Sequence, residues 1–221
     1  MPDNLHTSKS LGAVVLCGGQ SRRMGYAKAN LPFGEERLLQ RVVRQVREVC
    51  SPIVVVAAVG QDLPQLSPSV QIVRDERPEL GPLEGIRQGL AALAPQVRFA
   101  YVTSCDVPFL SAAFVREVAR LRRDAEIAIP KDGRFYHPLA AVYATRLNAR
   151  AKELIDEGQR RPVALLDGSR VEAFSSELLR QVDPELLGLI NTNDPASYRD
   201  ALKRAGLPVP PDMESIFDPQ D

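Results

Sequence analysis

Gly12-Ala13-Val14-Val15-Leu16-Cys17-Gly18-Gly19-Gln20-Ser21-Arg22-Arg23-Met24-Gly25-Tyr26-Ala27-Lys28 is the stretch from which both the fold class and the chemistry can be read. Its first six residues are apolar and closed off by two glycines, the pattern of a short buried strand. From Gly18 to Lys28 there is no acid, and Arg22, Arg23 and Lys28 supply three cations. In open α/β sheets, ligands bind beyond the carboxyl ends of the strands. Glycines there let backbone N–H groups approach an anion with no Cβ in the way. A triphosphate carries about three to four negative charges, so this loop suits one. It is not a P-loop, because Gly25 is followed by Tyr26-Ala27, and it is not G-x-G-x-x-G, so a dehydrogenase reading is weak.

Outward from this segment, strands and helices alternate. Leu39, Val42, Val43, Val46 and Val49 make one apolar stripe and predict a helix over Glu36 to Cys50. After Pro52, the continuous β-branched run Ile53–Ala58 reads as a parallel strand covered on both faces. Val70–Val73 predicts a second short strand. Gly81-Pro82 then punctuates the chain before a helix face of Leu83, Ile86, Leu90 and Leu93. Phe99–Thr103 is the next strand, and Ser111 caps a helix carrying Phe114, Val115, Val118 and Leu121. Ile127 with Ile129, and Leu139–Tyr143, mark two more strands, followed by a helix over Leu147–Glu157. Val171–Phe174 and Leu186–Ile190 are weaker strand candidates. Asp194-Pro195 opens a last helix to about Ala205. This order predicts an α/β fold: a three-layer, Rossmann-like α/β/α domain with a mostly parallel central sheet. Residues 1–10 read as a flexible start and 11–207 as the domain. Residues 208–221, with Pro208, Pro210, Pro211 and Pro219, four acids and no base, read as a disordered or loosely docked tail.

Composition narrows the function classes. The 221 residues suit one generous domain, and 44% hydrophobic with 25% charged residues is ordinary globular usage. Basic and acidic residues stand at 28 each, which argues against broad binding to nucleic acid or anionic membrane. The longest apolar run, Ile53–Val59, is far below the ~20 residues of a spanning helix. Lys9 before Leu11–Cys17 could imitate a signal peptide, but Asp3 precedes it and no small-residue cleavage site follows. Cys17, Cys50 and Cys105 form no C-x-x-C pair and have no zinc spacing, which fits a reduced, cytoplasmic setting.

Here a family comes into view. Leu16-Cys17-Gly18-Gly19-Gln20-Ser21-Arg22-Arg23-Met24-Gly25, followed by Lys28, resembles the L-A-G-G-x-S-x-R-M-G-x-D-K signature of the molybdenum cofactor guanylyltransferases. These are nucleotidyltransferases of the glycosyltransferase-A-like superfamily. The resemblance continues through Asp75, Gly81-Pro82-Leu83-Glu84-Gly85-Ile86, Cys105-Asp106-Val107-Pro108-Phe109, His137-Pro138-Leu139 and Asn191-Thr192-Asn193-Asp194-Pro195. It therefore spans most of the chain. Cys17 replaces the usual Ala, Ala27 the usual Asp before the lysine, and Ala57-Ala58-Val59 stands where an Asn is usual near the base.

The resemblance implies transfer of GMP from GTP to the terminal phosphate of molybdopterin, with Mg²⁺ as cofactor and pyrophosphate as leaving group. It places Leu16, Cys17, Gly18, Gly19, Lys28, Asp75, Gly81 and Asp106 around the nucleotide and makes Asp106 the metal ligand. Lys28, Arg22 and Asp106 become the catalytic candidates: Gly18, Gly19 and Arg22 would cradle phosphates, and Lys28 would offset charge on the transferring group. It also implies molybdoenzymes or cofactor-insertion proteins as partners. Each residue has a plainer reading: Asp106 as a turn or capping acid, Asp75 as a solvated loop acid, Gly81 as turn chemistry, Asn191 and Asn193 as caps. His137 has a structural or acceptor-pocket reading before a general-base one. Three alternatives stay open: a molybdopterin cytidylyltransferase, another small-molecule nucleotidylyltransferase, and a non-catalytic nucleotide-binding regulator. Gly18 speaks for guanine, because related cytidylyltransferases usually read L-A-A-G there.

Overall fold

The run Leu11–Leu16 is a strand buried along its whole length, and the sheet is built outward from it. The computed structural model describes residues 11–17 and 26–213. Its strands, in chain order, are β1 (Leu11–Leu16), β2 (Pro32–Phe33), β3 (Glu36–Arg37), β4 (Ile53–Ala58), β5 (Val70–Asp75), β6 (Phe99–Ser104), β7 (Ile127–Asp132), β8 (Phe135–Tyr136), β9 (Ala140–Ala144) and β10 (Val171–Ser175). The helices are α1 (Leu38–Arg47), α2 (Pro82–Leu93), α3 (Ala112–Leu121), α4 (Leu147–Asp156) and α5 (Pro195–Arg204).

The main sheet has the order β10-β7-β9-β6-β1-β4-β5, with β8 paired to β7. β1 is parallel to both β4 and β6, β4 is parallel to β5, and β10 is parallel to β7. β9 runs antiparallel to β6 and β7, and the short β8 runs antiparallel to β7, so the sheet is mixed at those two strands. All the other main strands therefore end on one edge, and β9 begins there. The pairing of Thr103 with Ala140 brings the segment before β9, His137-Pro138-Leu139, to the same edge.

The alternation within β1 sends Ala13 and Val15 to the face covered by α1 and α3, and Val14 and Leu16 to the face covered by α2 and α4. Leu83, Ile86, Leu90 and Leu93 of α2 are fully buried, each worth about 1.5–3 kcal/mol of apolar burial. Close seating of α2 needs small residues toward β1. A Cβ on Gly89 would run into both γ-methyls of Val14, and one on Gly85 would come within 3.2 Å of Leu16.

Two predicted elements differ. The helix expected from Glu36 begins at Leu38, because Glu36 and Arg37 pair with Pro32 and Phe33 in a small hairpin. Leu31 and Phe33 pin that hairpin into a side cluster with Leu38, Tyr198 and Leu202. The strand expected at Leu186–Ile190 is instead a 3-10 turn at Leu187–Leu189. Asp183 takes the backbone N–H groups of Leu187 and Gly188 at 3.0 and 2.7 Å, and Leu186 adopts a positive φ of 54°. Those donors are then lost to a sheet ladder. Past residue 207 the chain still packs: Met213 is fully buried in the cluster of Leu31, Phe33 and Tyr198. The expectations for residues 1–10 and for the end of the tail lie outside the described residues.

Candidate active site

Asp106 sits two residues beyond β6 at the carboxyl edge of the sheet. The N–H of Cys105 donates to the Leu16 carbonyl at 3.0 Å, which carries the β1–β6 ladder to the start of this turn. The Asp106 carbonyl accepts from the backbone N–H of Thr192 at 2.8 Å and from its hydroxyl at 3.2 Å. Thr192 is fully buried, so the segment before α5 clamps the Asp106 backbone. The carboxylate is 6% exposed by residue and has two differently occupied oxygens. Oδ1 accepts from the Ser104 hydroxyl at 2.5 Å and from the Asn191 amide at 2.9 Å. Oδ2 meets the Lys28 ammonium at 2.7 Å.

Lys28 reaches this carboxylate from the far end of the glycine-rich loop. It opens a 3-10 turn, Lys28–Asn30, that is tied down on several sides. Arg37 donates to the Asn30 carbonyl at 3.1 Å, Asn30 donates to the Asp62 carbonyl at 3.1 Å, and Leu31 is fully buried. Its ammonium also donates to Asn193 Oδ1 at 2.7 Å. The fold thus gathers Lys28, Asp106, Asn191 and Asn193 into one cluster. Leu16 and Cys17 lie beside it at the end of β1, both nearly buried. Gly18, Gly19 and Arg22 lie outside the described residues.

Asp75 is placed elsewhere on the same edge. It ends β5, on the far side of β4 from β1, and is 5% exposed. Its Oδ1 accepts from the Arg77 N–H and the Gln88 amide, both at 2.9 Å. Gly81 caps the start of α2 with a φ of +76°, and a Cβ there would lie 3.3 Å from the Arg160 carbonyl. The backbone alone therefore demands glycine at this position. His137 is held by Asp132 at 2.7 Å, and Asp132 also accepts from Ser176. Ser176 thus donates to the acid rather than to the histidine, which is not the relay of a hydrolase triad. Hydrogen bonds from Ser176 and then His137 hold the Asp132 carboxyl below its usual range.

Cys17 and Cys50 are unsuited to nucleophilic work. Burial, then contact with Cys105 and the nearby Asp106 charge, pushes the Cys17 thiol well above its ordinary value. Burial alone pushes Cys50 up to about 12. Such thiols stay protonated and inert. The cluster instead offers a cation, a carboxylate and amide groups, which suits holding and stabilising phosphate charge.

Three contributors went unnoticed in the sequence. Ser104 is one; strand alternation puts it on the same side as Asp106, which was the available signal. Gln61 is another: it donates to the Cys17 carbonyl at 3.0 Å and accepts from the Ala58 N–H at 3.1 Å, tying the ends of β1 and β4 together. Arg74 locks the same corner through the carbonyls of Ala58 and Gln61 at 3.1 and 2.8 Å.

Comparison with known proteins places this geometry. Residues 13–173 match the family described as MobA-like NTP transferase domain. A Mycobacterium tuberculosis H37Rv protein named "Probable molybdenum cofactor guanylyltransferase" is 42% identical over 191 residues, covering 84% of this chain and 90% of that protein. A Mycobacterium marinum protein of the same name is 43% identical over 165 residues, covering 72% of this chain and 81% of that protein. The crystal structure of molybdopterin-guanine dinucleotide biosynthesis protein A from Archaeoglobus fulgidus superposes with a TM-score of 0.69 at 23% identity, covering 88% of this chain and 98% of that one. That likeness is one of fold.

Proposed function

This chain belongs to the MobA-like NTP transferase family and is a nucleotidyltransferase, and we propose that it transfers GMP from GTP to the terminal phosphate of molybdopterin. Pyrophosphate leaves, and the product is a guanine dinucleotide form of the cofactor. The observation that carries the reading is the contact of Lys28 with Asp106, just beyond the carboxyl end of β6. The attacking group is a phosphate oxygen that is already ionised, so the reaction needs no strong protein base. Catalysis then rests on positioning and electrostatic stabilisation.

In this reading Gly18 and Gly19 offer backbone donors to the phosphates, with Arg22 and Arg23 adding charge. Arg23 falls on the arginine of the family signature and Arg22 on a variable position. Leu16 and Cys17 line the nucleotide at the end of β1, with Asp75 and Gly81 toward the β5 side. Asp75 would accept from the N1–H and exocyclic amine of guanine. Lys28 would turn its ammonium from Asp106 toward the charge that develops on the α-phosphate.

The residues fit Mg²⁺. Among the described residues no cluster of three His, Cys, Asp or Glu side chains stands ready for a metal. Mg²⁺ instead favours one or two carboxylates together with waters and substrate phosphates. Asp106 provides one buried carboxylate with Oδ1 already satisfied, leaving Oδ2 for the ion once Lys28 turns toward the nucleotide. Bound Mg²⁺ would neutralise charge on the α-phosphate and the pyrophosphate. The recipients of the product, molybdoenzymes or cofactor-insertion proteins, are part of this proposal by family likeness.

Measuring pyrophosphate release with GTP or CTP, each with and without molybdopterin, tests the reading. Release is expected only with GTP and acceptor together. Preference for CTP would move the chain to the cytidylyltransferase reading, and indifference to molybdopterin would remove the acceptor.

A further inference from the structure

We propose that Ser104 is a positioning residue that fixes which oxygen of Asp106 works, and so sets how tightly the site takes its divalent cation. The inference rests on the metal role proposed for Asp106. Ser104 is the last residue of β6 and is only 8% exposed. Its hydroxyl donates to Asp106 Oδ1 at 2.5 Å and lies 3.3 Å from the Asn191 amide, which itself donates to Oδ1 at 2.9 Å.

A carboxylate is symmetric, and its two oxygens exchange by rotation about χ2 unless something distinguishes them. Here two neutral donors hold Oδ1, while Oδ2 is left to the Lys28 ammonium. Neutral donors are well suited to this task. They satisfy one oxygen without cancelling the charge that a cation needs on the other. The strand also makes Ser104 more rigid than a loop donor would be. Its backbone sits in the β1–β6 register, where Leu16 pairs with Ser104. The hydroxyl is therefore in place before any ligand arrives, and the carboxylate pays no reorientation cost on binding.

The Lys28 contact adds a second consequence. The ammonium sits on Oδ2, the oxygen that would hold the cation. For Oδ2 to hold a cation, Lys28 would have to turn toward another anion, and a triphosphate would supply one. Ser104 keeps Oδ2 correctly aimed through that exchange.

The test is Mn²⁺ binding to the protein saturated with GTP and lacking acceptor, by electron paramagnetic resonance, alongside the Mg²⁺ dependence of transfer. Loss of a hydrogen bond to a charged group weakens the interaction it supports by roughly tenfold. Ser104→Ala should therefore raise both the Mn²⁺ dissociation constant and the Mg²⁺ activation constant roughly tenfold, while kcat at saturating Mg²⁺ falls less than about threefold. Ser104→Cys, near in shape but a weak donor, should shift both constants in the same direction. Ser104→Thr restores the hydroxyl and should return them toward wild type. If Ser104→Ala proves unfolded in a thermal melt, Ser104→Cys carries the test alone. Metal constants unchanged in the folded variants would overturn the proposal. So would a loss confined to kcat. Asp106→Asn separates the two layers: if it retains Mn²⁺ binding, the metal role of Asp106 fails, whereas if it loses binding and the Ser104 variants do not, only the positioning role fails.

Discussion

Lys28→Ala removes the ammonium that touches Asp106 Oδ2 and Asn193 Oδ1, both at 2.7 Å, and its effects on stability, metal binding and turnover have different signs. The side chains of Lys28 and Asp106 are 19% and 8% exposed, so the pair is screened by solvent only from the lysine side. Removing one partner of a fully buried pair costs about 3–5 kcal/mol. Partial exposure of Lys28, and the two donors that remain on Oδ1, reduce this to about 2 kcal/mol. For a chain of this length that corresponds to roughly 4–8 °C in Tm. Metal binding should move the other way. With no ammonium on Oδ2, nucleotide-free protein should bind Mn²⁺ more tightly than wild type. Turnover should fall by roughly 10²-fold or more, the loss expected when one preorganised charge is removed from a phosphoryl site. Pyrophosphate release at saturating GTP, Mg²⁺ and molybdopterin measures the last effect. Near-normal kcat under those conditions would refute the reasoning and pass the role to Arg22 or Arg23.

Two further predictions concern the scaffold beneath the site. Glu84 is fully buried; burial raises its pKa, but hydrogen bonds from Arg87, Gln88 and Arg77 outweigh this and bring it from 4.5 to about 2. A depressed pKa stabilises the fold above the unfolded value near 4.5, and that contribution is lost as pH falls from there toward 2. Half-exposed Arg77 lets solvent screen part of it, leaving on the order of 2 kcal/mol. Urea unfolding of Glu84→Gln should therefore show lower stability at pH 7 and a flatter decline between pH 4.5 and 2; an unchanged pH profile would show that the network is not stabilising. Gly89→Ala should lower Tm by several degrees, because the new methyl meets Val14 and overpacking costs about 1–3 kcal/mol. A raised Tm, as expected for an unhindered Gly→Ala change in a helix, would show that α2 can shift off β1.

The parallel core was legible because its signals are local. Ile53–Ala58 is continuous and β-branched, and it forms β4 with those same ends. Ser111 is named by its chemistry, and its side chain accepts from the Phe114 N–H at 3.1 Å. Asp106 was legible as an acid following a strand. The direction of β9 was not, since an apolar run reads alike in either sense. The turn at Leu187–Leu189 carries a strand-like apolar pattern, and its deciding partner, Asp183, looks like any loop acid. The site cluster was legible in its members but not in its contacts. Lys28 and Asn193 are 165 residues apart, and only the closing of α5 against the β2–β3 hairpin side of the molecule brings them together. Ser104 was hidden by its ordinariness, as a small polar residue at the end of an apolar strand. What the sequence could not carry was the division of labour between the two oxygens of Asp106, which depends on donors from β6 and from the segment before α5 together.

Guanylyl transfer to molybdopterin is decided by a competition experiment. The protein is mixed with Mg²⁺, molybdopterin and equal concentrations of GTP and CTP, and the dinucleotide products are identified by mass spectrometry. The guanine dinucleotide is expected as the dominant product, formed with one pyrophosphate per turnover and lost in Asp106→Asn. A cytosine dinucleotide as the main product, or no dinucleotide at all from folded protein, would contradict it.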